Sequence, residues 1–130
     1  CWGENYYGQV GDGTTLDRFN PVIVVGSAWS IRKVSASSLH TCALQNNGDV
    51  KCWGINEHGQ LGDGTKIART TPVKVSLSGR VREVTTGTAH SCALMEDIAE
   101  VKCWGIGSSY IPGYTRADDS PYPTDFGGLD

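Results

Sequence analysis

The 130-residue chain carries little charge: charged residues make up 19% and the net charge is −3 at pH 7. So mild a negative balance gives no basic footprint for nucleic acid. No run approaches the ~18 consecutive apolar residues that suggest a membrane-spanning helix. No convincing amphipathic helix of about ten or more residues is found either, which excludes a coiled coil or a long helical bundle. Methionine occurs once, as Met95, and the chain opens on Cys1. Nothing at its start resembles a signal or transit peptide, and the chain is expected to begin inside a longer protein. A nucleophile elbow, a phosphate loop and a zinc-protease helix are also missing, and no spaced pair of acids suits general acid and base roles. A protein without enzymatic activity and without a cofactor is therefore expected.

Two residue types are plentiful. The 17 glycines are about twice the average usage, and five cysteines leave one without a partner if the rest pair. Apolar residues at 38% argue against wholesale disorder.

The glycines and cysteines belong to a repeat. Cys1-Trp2-Gly3 recurs as Cys52-Trp53-Gly54 and as Cys103-Trp104-Gly105, at an offset of 51 each time. Gly8-Gln9-Val10-Gly11-Asp12-Gly13-Thr14 recurs as Gly59-Gln60-Leu61-Gly62-Asp63-Gly64-Thr65, and Pro21-Val22 as Pro72-Val73. His40-Thr41-Cys42-Ala43-Leu44 recurs as His90-Ser91-Cys92-Ala93-Leu94, now at an offset of 50. One residue is lost between Val25 and Ile31, and one is gained between Leu94 and Val101. Both changes fall where a loop or turn is expected, which a repeated fold tolerates. The units are 1–51, 52–102 and a third, divergent or capping, at 103–130.

Within a unit the pattern is strand and turn. Ile31 to Val34 and Val81 to Val84 have apolar ends, and Val73-Lys74-Val75-Ser76-Leu77 alternates as a half-buried strand does. Cys42–Gln45 and Val50–Trp53 flank Asn46-Asn47-Gly48-Asp49, which reads as a tight hairpin with Gly48 in a left-handed conformation. The matching turn, Glu96-Asp97-Ile98-Ala99-Glu100, is longer and more acidic. About four short strands in ~50 residues is the size of one propeller blade. The expected fold is all-β: two to three blades of about four antiparallel strands, a partial β-propeller.

This pattern resembles the repeat of the regulator of chromosome condensation family. The resemblance lies in His-Thr-Cys-Ala-Leu, Gly48, Cys-Trp-Gly-Ile-Asn, the Gly59 to Thr65 stretch and Pro72-Val73, and covers residues 1 to about 107. It implies a seven-bladed β-propeller, of which this chain would supply a part. After Gly105 the pattern decays: Ser108 to Gly113 replaces the glycine stretch, and only Pro121 or Pro123 can stand for the proline. The cysteine-bearing form is similar to secreted or cell-surface members, which implies an oxidising compartment. In a symmetric hairpin Cys42 lies opposite Cys52, within reach of a disulfide, and Cys92 and Cys103 take the equivalent places. Cys1 is left unpaired. By analogy it is the second cysteine of a hairpin whose first strand stood upstream. Metal is the rival reading for His40, Cys42 and Cys52 and for His90, Cys92 and Cys103. No Cys-x-x-Cys knuckle supports it.

Other candidates have structural explanations. His40 and His90 recur once per unit, so each is expected to hydrogen-bond backbone inside its blade. Trp2, Trp53 and Trp104 are expected to pack between blades. A plant photoreceptor of the family uses clustered tryptophans as a chromophore, a cluster that one Trp per blade does not reproduce. Asp12 and Asp63 stand in Gly-Asp-Gly-Thr turns that lack the further oxygen ligands of a calcium loop.

The units differ where they are free to. Tyr6-Tyr7 fill the place of Glu57-His58, and the loops before the proline differ, with Phe19 in the first. Loops carry binding, and exposed aromatics are common anchors. The expectation is a protein-binding module, a disulfide-stapled scaffold that contacts an unidentified protein partner through Tyr6, Tyr7, Phe19, Glu57 and His58. Relatives that block secreted β-lactamases imply the same. Nucleotide exchange on a small GTPase, which the family's founder performs in a cytoplasmic or nuclear setting, is the alternative. A purely structural role in a larger surface protein is another. Further blades or self-association would close the ring.

Overall fold

The computed structural model describes residues 1–26, 28–107 and 118–125. It contains two four-stranded antiparallel sheets. The first is built from β1 (Ile31–Ala36), β2 (His40–Gln45), β3 (Val50–Gly54) and β4 (Arg69–Lys74). The second is built from β5 (Val81–Thr86), β6 (His90–Met95), β7 (Val101–Gly105) and β8 (Ser120–Asp125). In each sheet the strands lie side by side in chain order. These are two blades of a partial propeller. Ahead of them, Gly3 bridges Arg18, and Cys1 and Val22 exchange hydrogen bonds at 2.8 and 2.9 Å.

The registers repeat. Cys42 faces Cys52 and Cys92 faces Cys103, and both pairs are closed as disulfides with Cα atoms 4.1 Å apart. Gly48 turns the first hairpin with φ of 90°. In the longer second turn Ala99 takes the left-handed conformation, with φ of 49°.

Two details differ from the sequence reading. The alternating stretch from Val73 to Leu77 is a strand only as far as Lys74. Beyond it the Val75 amide bonds to the Val50 carbonyl and the Leu77 amide to the Val75 carbonyl, so the chain turns, with Val75 buried. Hydrogen bonding to β3 thus reaches one residue past the strand, to Val75, and beyond it the alternation reflects partial burial of Leu77 rather than continued pairing. In the third unit the strand persists although the motif decays. Cys103 faces Thr124 as Cys52 faces Val73, so Pro123 holds the place of Pro72. Ser108 to Gly113 lies outside the described residues.

The core sits between the blades. Leu44, Val50 and the Cys42–Cys52 disulfide of the first pack with Val81, Val84 and Trp104 of the second, together with Leu61 and Val75. The blade faces are therefore unequal. Val81 and Val84 are buried, whereas their counterparts Ile31 and Val34 are exposed. On the opposite side Cys92, Leu94 and Val101 are half-buried, whereas Cys42, Leu44 and Val50 are buried.

Candidate functional site

Two long loops carry most of the candidate residues. One joins Gly3 to Arg18, and the other joins β3 to β4. Each is built on one buried asparagine. Asn5 donates from Nδ2 to the carbonyls of Thr14 and Leu16 at 2.9 and 3.0 Å and accepts the Val10 amide at 2.9 Å. Asn56 does the same with Thr65, Ile67 and Leu61, each at 3.0 Å. A side-chain amide supplies both donors and an acceptor, so one residue satisfies three backbone groups of an irregular loop.

An aspartate completes each loop. Asp12 accepts the Thr14 amide and hydroxyl at 3.0 and 2.7 Å and Arg18 Nε at 2.6 Å. These bonds, Thr14's hydroxyl foremost, hold its carboxyl down at about 2 against partial desolvation. Asp63 is engaged alike by Thr65 and Arg69. Burial pushes its carboxyl up, but the bonds from Thr65 and Arg69 leave it below the usual range. The two aspartates are turn residues, and no cluster of three metal-ligating side chains exists among the described residues.

The loops also join the units. The Gln9 carbonyl accepts Trp53 Nε1 at 2.8 Å and the Thr41 hydroxyl at 2.9 Å. The Gln60 carbonyl accepts Trp104 Nε1 at 2.8 Å and the Ser91 hydroxyl at 2.9 Å. Trp53 and Trp104 thus pack between units. Gly8 and Gly59 approach the following strand so closely that a Cβ would lie 2.7 Å from Thr70 Cα and 2.5 Å from Pro121 Cα. Both have positive φ, so glycine is required on two counts.

His40 departs from expectation. Its partners are hydroxyls, and one belongs to the other blade: Nδ1 meets Ser37 Oγ at 3.0 Å and Nε2 meets Ser91 Oγ at 2.8 Å. The Ser91 hydroxyl is already committed as a donor to Gln60, so it accepts the proton of His40 Nε2. Burial, with a smaller push from His90, lowers His40 to about 4, and burial lowers His90 as well.

The expected contact residues are not all alike. Tyr6 is exposed and meets Tyr7 edge to face at 4.9 Å. With Glu4, Thr15, Leu16 and Asp17, Tyr6 lines a shallow groove on the first loop. Glu57 is exposed on the second loop. His58 is engaged: its Nδ1 lies 2.6 Å from Asp119 Oδ2. Phe19 is 91% exposed and directly follows the isolated Gly3–Arg18 bridge. Sequence reading missed Asn5, Asn56 and the Arg18 and Arg69 partners. Their signal was the shared offset of 51. Asp119 was missed because its unit had lost the surrounding motif.

A pair of four-stranded antiparallel blades, tied by a glycine loop that reaches from one unit to the next, defines a β-propeller repeat protein. Comparison with known proteins agrees. The regulator of chromosome condensation (RCC1) repeat matches residues 1–44 and 47–94, and a second description of the same repeat matches residues 31–60. The chain belongs to this repeat family. It is similar to the human E3 ubiquitin-protein ligase HERC2, 35% identical over 95 residues, which are 71% of this chain and 2% of that protein. It is 34% identical over 106 residues to the mouse regulator of chromosome condensation, covering 79% of this chain and 25% of the relative. The chain therefore spans a quarter or less of the curated relatives it matches. Among solved structures, yeast RCC1 (Prp20), determined with Kap60 bound, aligns with a TM-score of 0.82 at 22% identity over 98% of this chain and 32% of that one. Human WBSCR16 aligns with a TM-score of 0.80 at 25% identity over 95% and 31%.

Proposed function

We propose that the chain is a non-enzymatic protein-interaction module whose glycine-loop edge binds a partner protein. The observation that carries this reading is the first loop, where exposed Tyr6 and Leu16 stand on a segment fixed from beneath by Asn5, Asp12 and Arg18. Anchors held on a pre-ordered loop lose little freedom on binding. Glu57 on the second loop and Tyr7 beside Tyr6 extend the same edge. The reading needs no cofactor and no nucleic acid. Among the described residues, the buried or shifted groups His40, Asp12 and Asp63 have structural partners, which favours a scaffold over a catalyst.

The two disulfides make the scaffold rigid in this reading and favour an extracellular or cell-surface setting. Further blades, from a longer chain or from association, would close the ring across the exposed Ile31 and Val34 face. Thiol counting after denaturation is expected to give two disulfides and free Cys1. Five free thiols would contradict the setting and favour a cytoplasmic or nuclear exchange factor.

The direct test is affinity capture with the intact chain and with Tyr6→Ala/Tyr7→Ala. Two aromatic anchors at an interface predict a loss of at least ~10-fold in partner retention with the fold unchanged. Equal retention would overturn the assignment to this loop.

A further inference from the structure

Each glycine loop docks on the following unit in the same way. The Gln9 carbonyl takes the Trp53 indole at 2.8 Å while the Gly13 amide donates to the Thr70 carbonyl at 3.0 Å. The Gln60 carbonyl takes the Trp104 indole at 2.8 Å while the Gly64 amide donates to the Pro121 carbonyl at 3.0 Å. Gly8 and Gly59 lie against the Cα atoms of the same two receiving residues, Thr70 and Pro121.

Among the matched positions at which the two docked loops differ, one pair carries a side-chain contact between loop and receiving strand. In the second, His58 Nδ1 reaches Asp119 Oδ2 at 2.6 Å. In the first, Tyr7 stands at the loop position of His58, and Ala68 at the receiving position of Asp119. An acid on the receiving strand thus goes with a histidine on the loop, and where the acid is absent the histidine is absent too.

The receiving surface occurs a third time, uncovered. Trp2, Asp17 and Phe19 precede Trp104, Asp119 and Pro121 by 102 residues each. Trp2 is 65% exposed and Phe19 91%, whereas Trp53 and Trp104 are 2% and 0% exposed. Asp17 Oδ1 accepts the Asn5 amide at 2.9 Å, as Asp119 Oδ1 accepts the Gly107 amide at 3.0 Å. In Asp119 the second oxygen is the one that meets His58. Beside Asp17, Glu4 adds a second carboxylate to the groove that they line with Tyr6, Thr15 and Leu16.

We infer that the edge made by Trp2, Asp17 and Phe19 is a receptor for a glycine loop of the form Asn-x-x-Gly-Gln-apolar-Gly, carried by another repeat unit, whose third residue brings a side-chain nitrogen donor as His58 does. The loop's glutamine carbonyl takes the Trp2 indole, its first glycine lies on Phe19, and its nitrogen donor meets Asp17. Continuity with the two docked interfaces fixes the occupant's backbone, and the two carboxylates call for a basic or nitrogen-donor side chain at that position. A loop with Tyr at the third position, such as 5–11 of this chain, is the wrong partner for this edge.

The test appends a second copy of residues 55–69 ahead of Cys1 through a flexible Gly/Ser linker, which gives an effective concentration of the order of millimolar. Docking is read as the change in Trp2 emission, isolated by a Trp2→Phe control. The appended copy carries His58, His58→Lys or His58→Tyr, and the body carries Asp17 or Asp17→Ala. The His and Lys loops are expected to dock, and the Tyr loop to dock about twofold to fivefold more weakly, the range for one partly exposed contact to a carboxylate. Asp17→Ala should weaken the His and Lys loops by the same factor and leave the Tyr loop unchanged. Absence of docking by every loop, or an equal effect of Asp17→Ala on all three, would overturn the inference. Partner capture at Tyr6 and Tyr7 uses the chain without an appended loop, so the two readings fail separately.

Discussion

The buried amides of Asn5 and Asn56 hold the loops that every proposed contact depends on. Replacing Asn56 with Ala leaves the Thr65 and Ile67 carbonyls and the Leu61 amide without their partner. Each such loss is expensive away from water, so Asn56→Ala should destabilise by about 2–4 kcal/mol in urea unfolding. Asn5→Ala is expected to cost a similar amount, because Asn5 is as buried as Asn56 and makes the same three bonds. His40 gives a pH dependence of definite sign. Its folded pKa of about 4 lies below the ordinary 6.5, so the unfolded chain binds the proton more readily. The contribution is fully present above about pH 6.5 and is lost as pH falls toward 4, up to about 3 kcal/mol. His40→Gln should flatten that window. Asp12, held at about 2 from an ordinary 3.8, acts below it. These residue roles were only half legible. The repeat marks Asn56 and His40 as fixed. It does not say that the histidine's partner is Ser91, because that contact exists only once two blades are packed.

At the level of strands, the cysteine spacing and the Asn46–Asp49 turn placed Cys42 opposite Cys52, and the hairpin forms in that register. The strand after the proline was less legible, since alternation records burial and not pairing: Leu77 is partly buried although its amide bonds back to Val75 and not to β3. The disulfides close loops of 10 and 11 residues by sequence separation. Each should stabilise by about 2–3 kcal/mol in the chain-entropy picture. Cys42→Ala/Cys52→Ala should cost more than Cys92→Ala/Cys103→Ala, because the first pair also fills the core between the blades while Cys92 is half-buried. Denaturant midpoints of the two double variants without reductant provide the comparison. The protein should also reduce asymmetrically, the Cys92–Cys103 bond reacting first with a small dithiol.

For the molecule as a whole, the blade count and the family were readable because a motif of fixed spacing recurs and each copy must bury the same positions against its neighbour. The direction of stacking was not readable. It follows from the loop of one unit covering the tryptophan of the next, which leaves Trp2 and Phe19 bare at one end and Cys92 and Leu94 half-covered at the other. The central claim is that the glycine-loop edge, and not the hairpin-turn edge, binds the partner protein. Hydrogen–deuterium exchange of the chain, free and with its captured partner, tests this most directly. Protection concentrated at residues 4–17 and 55–68 is the predicted result. Protection confined to the turns at 46–49 and 96–100, with the loops unchanged, would contradict it.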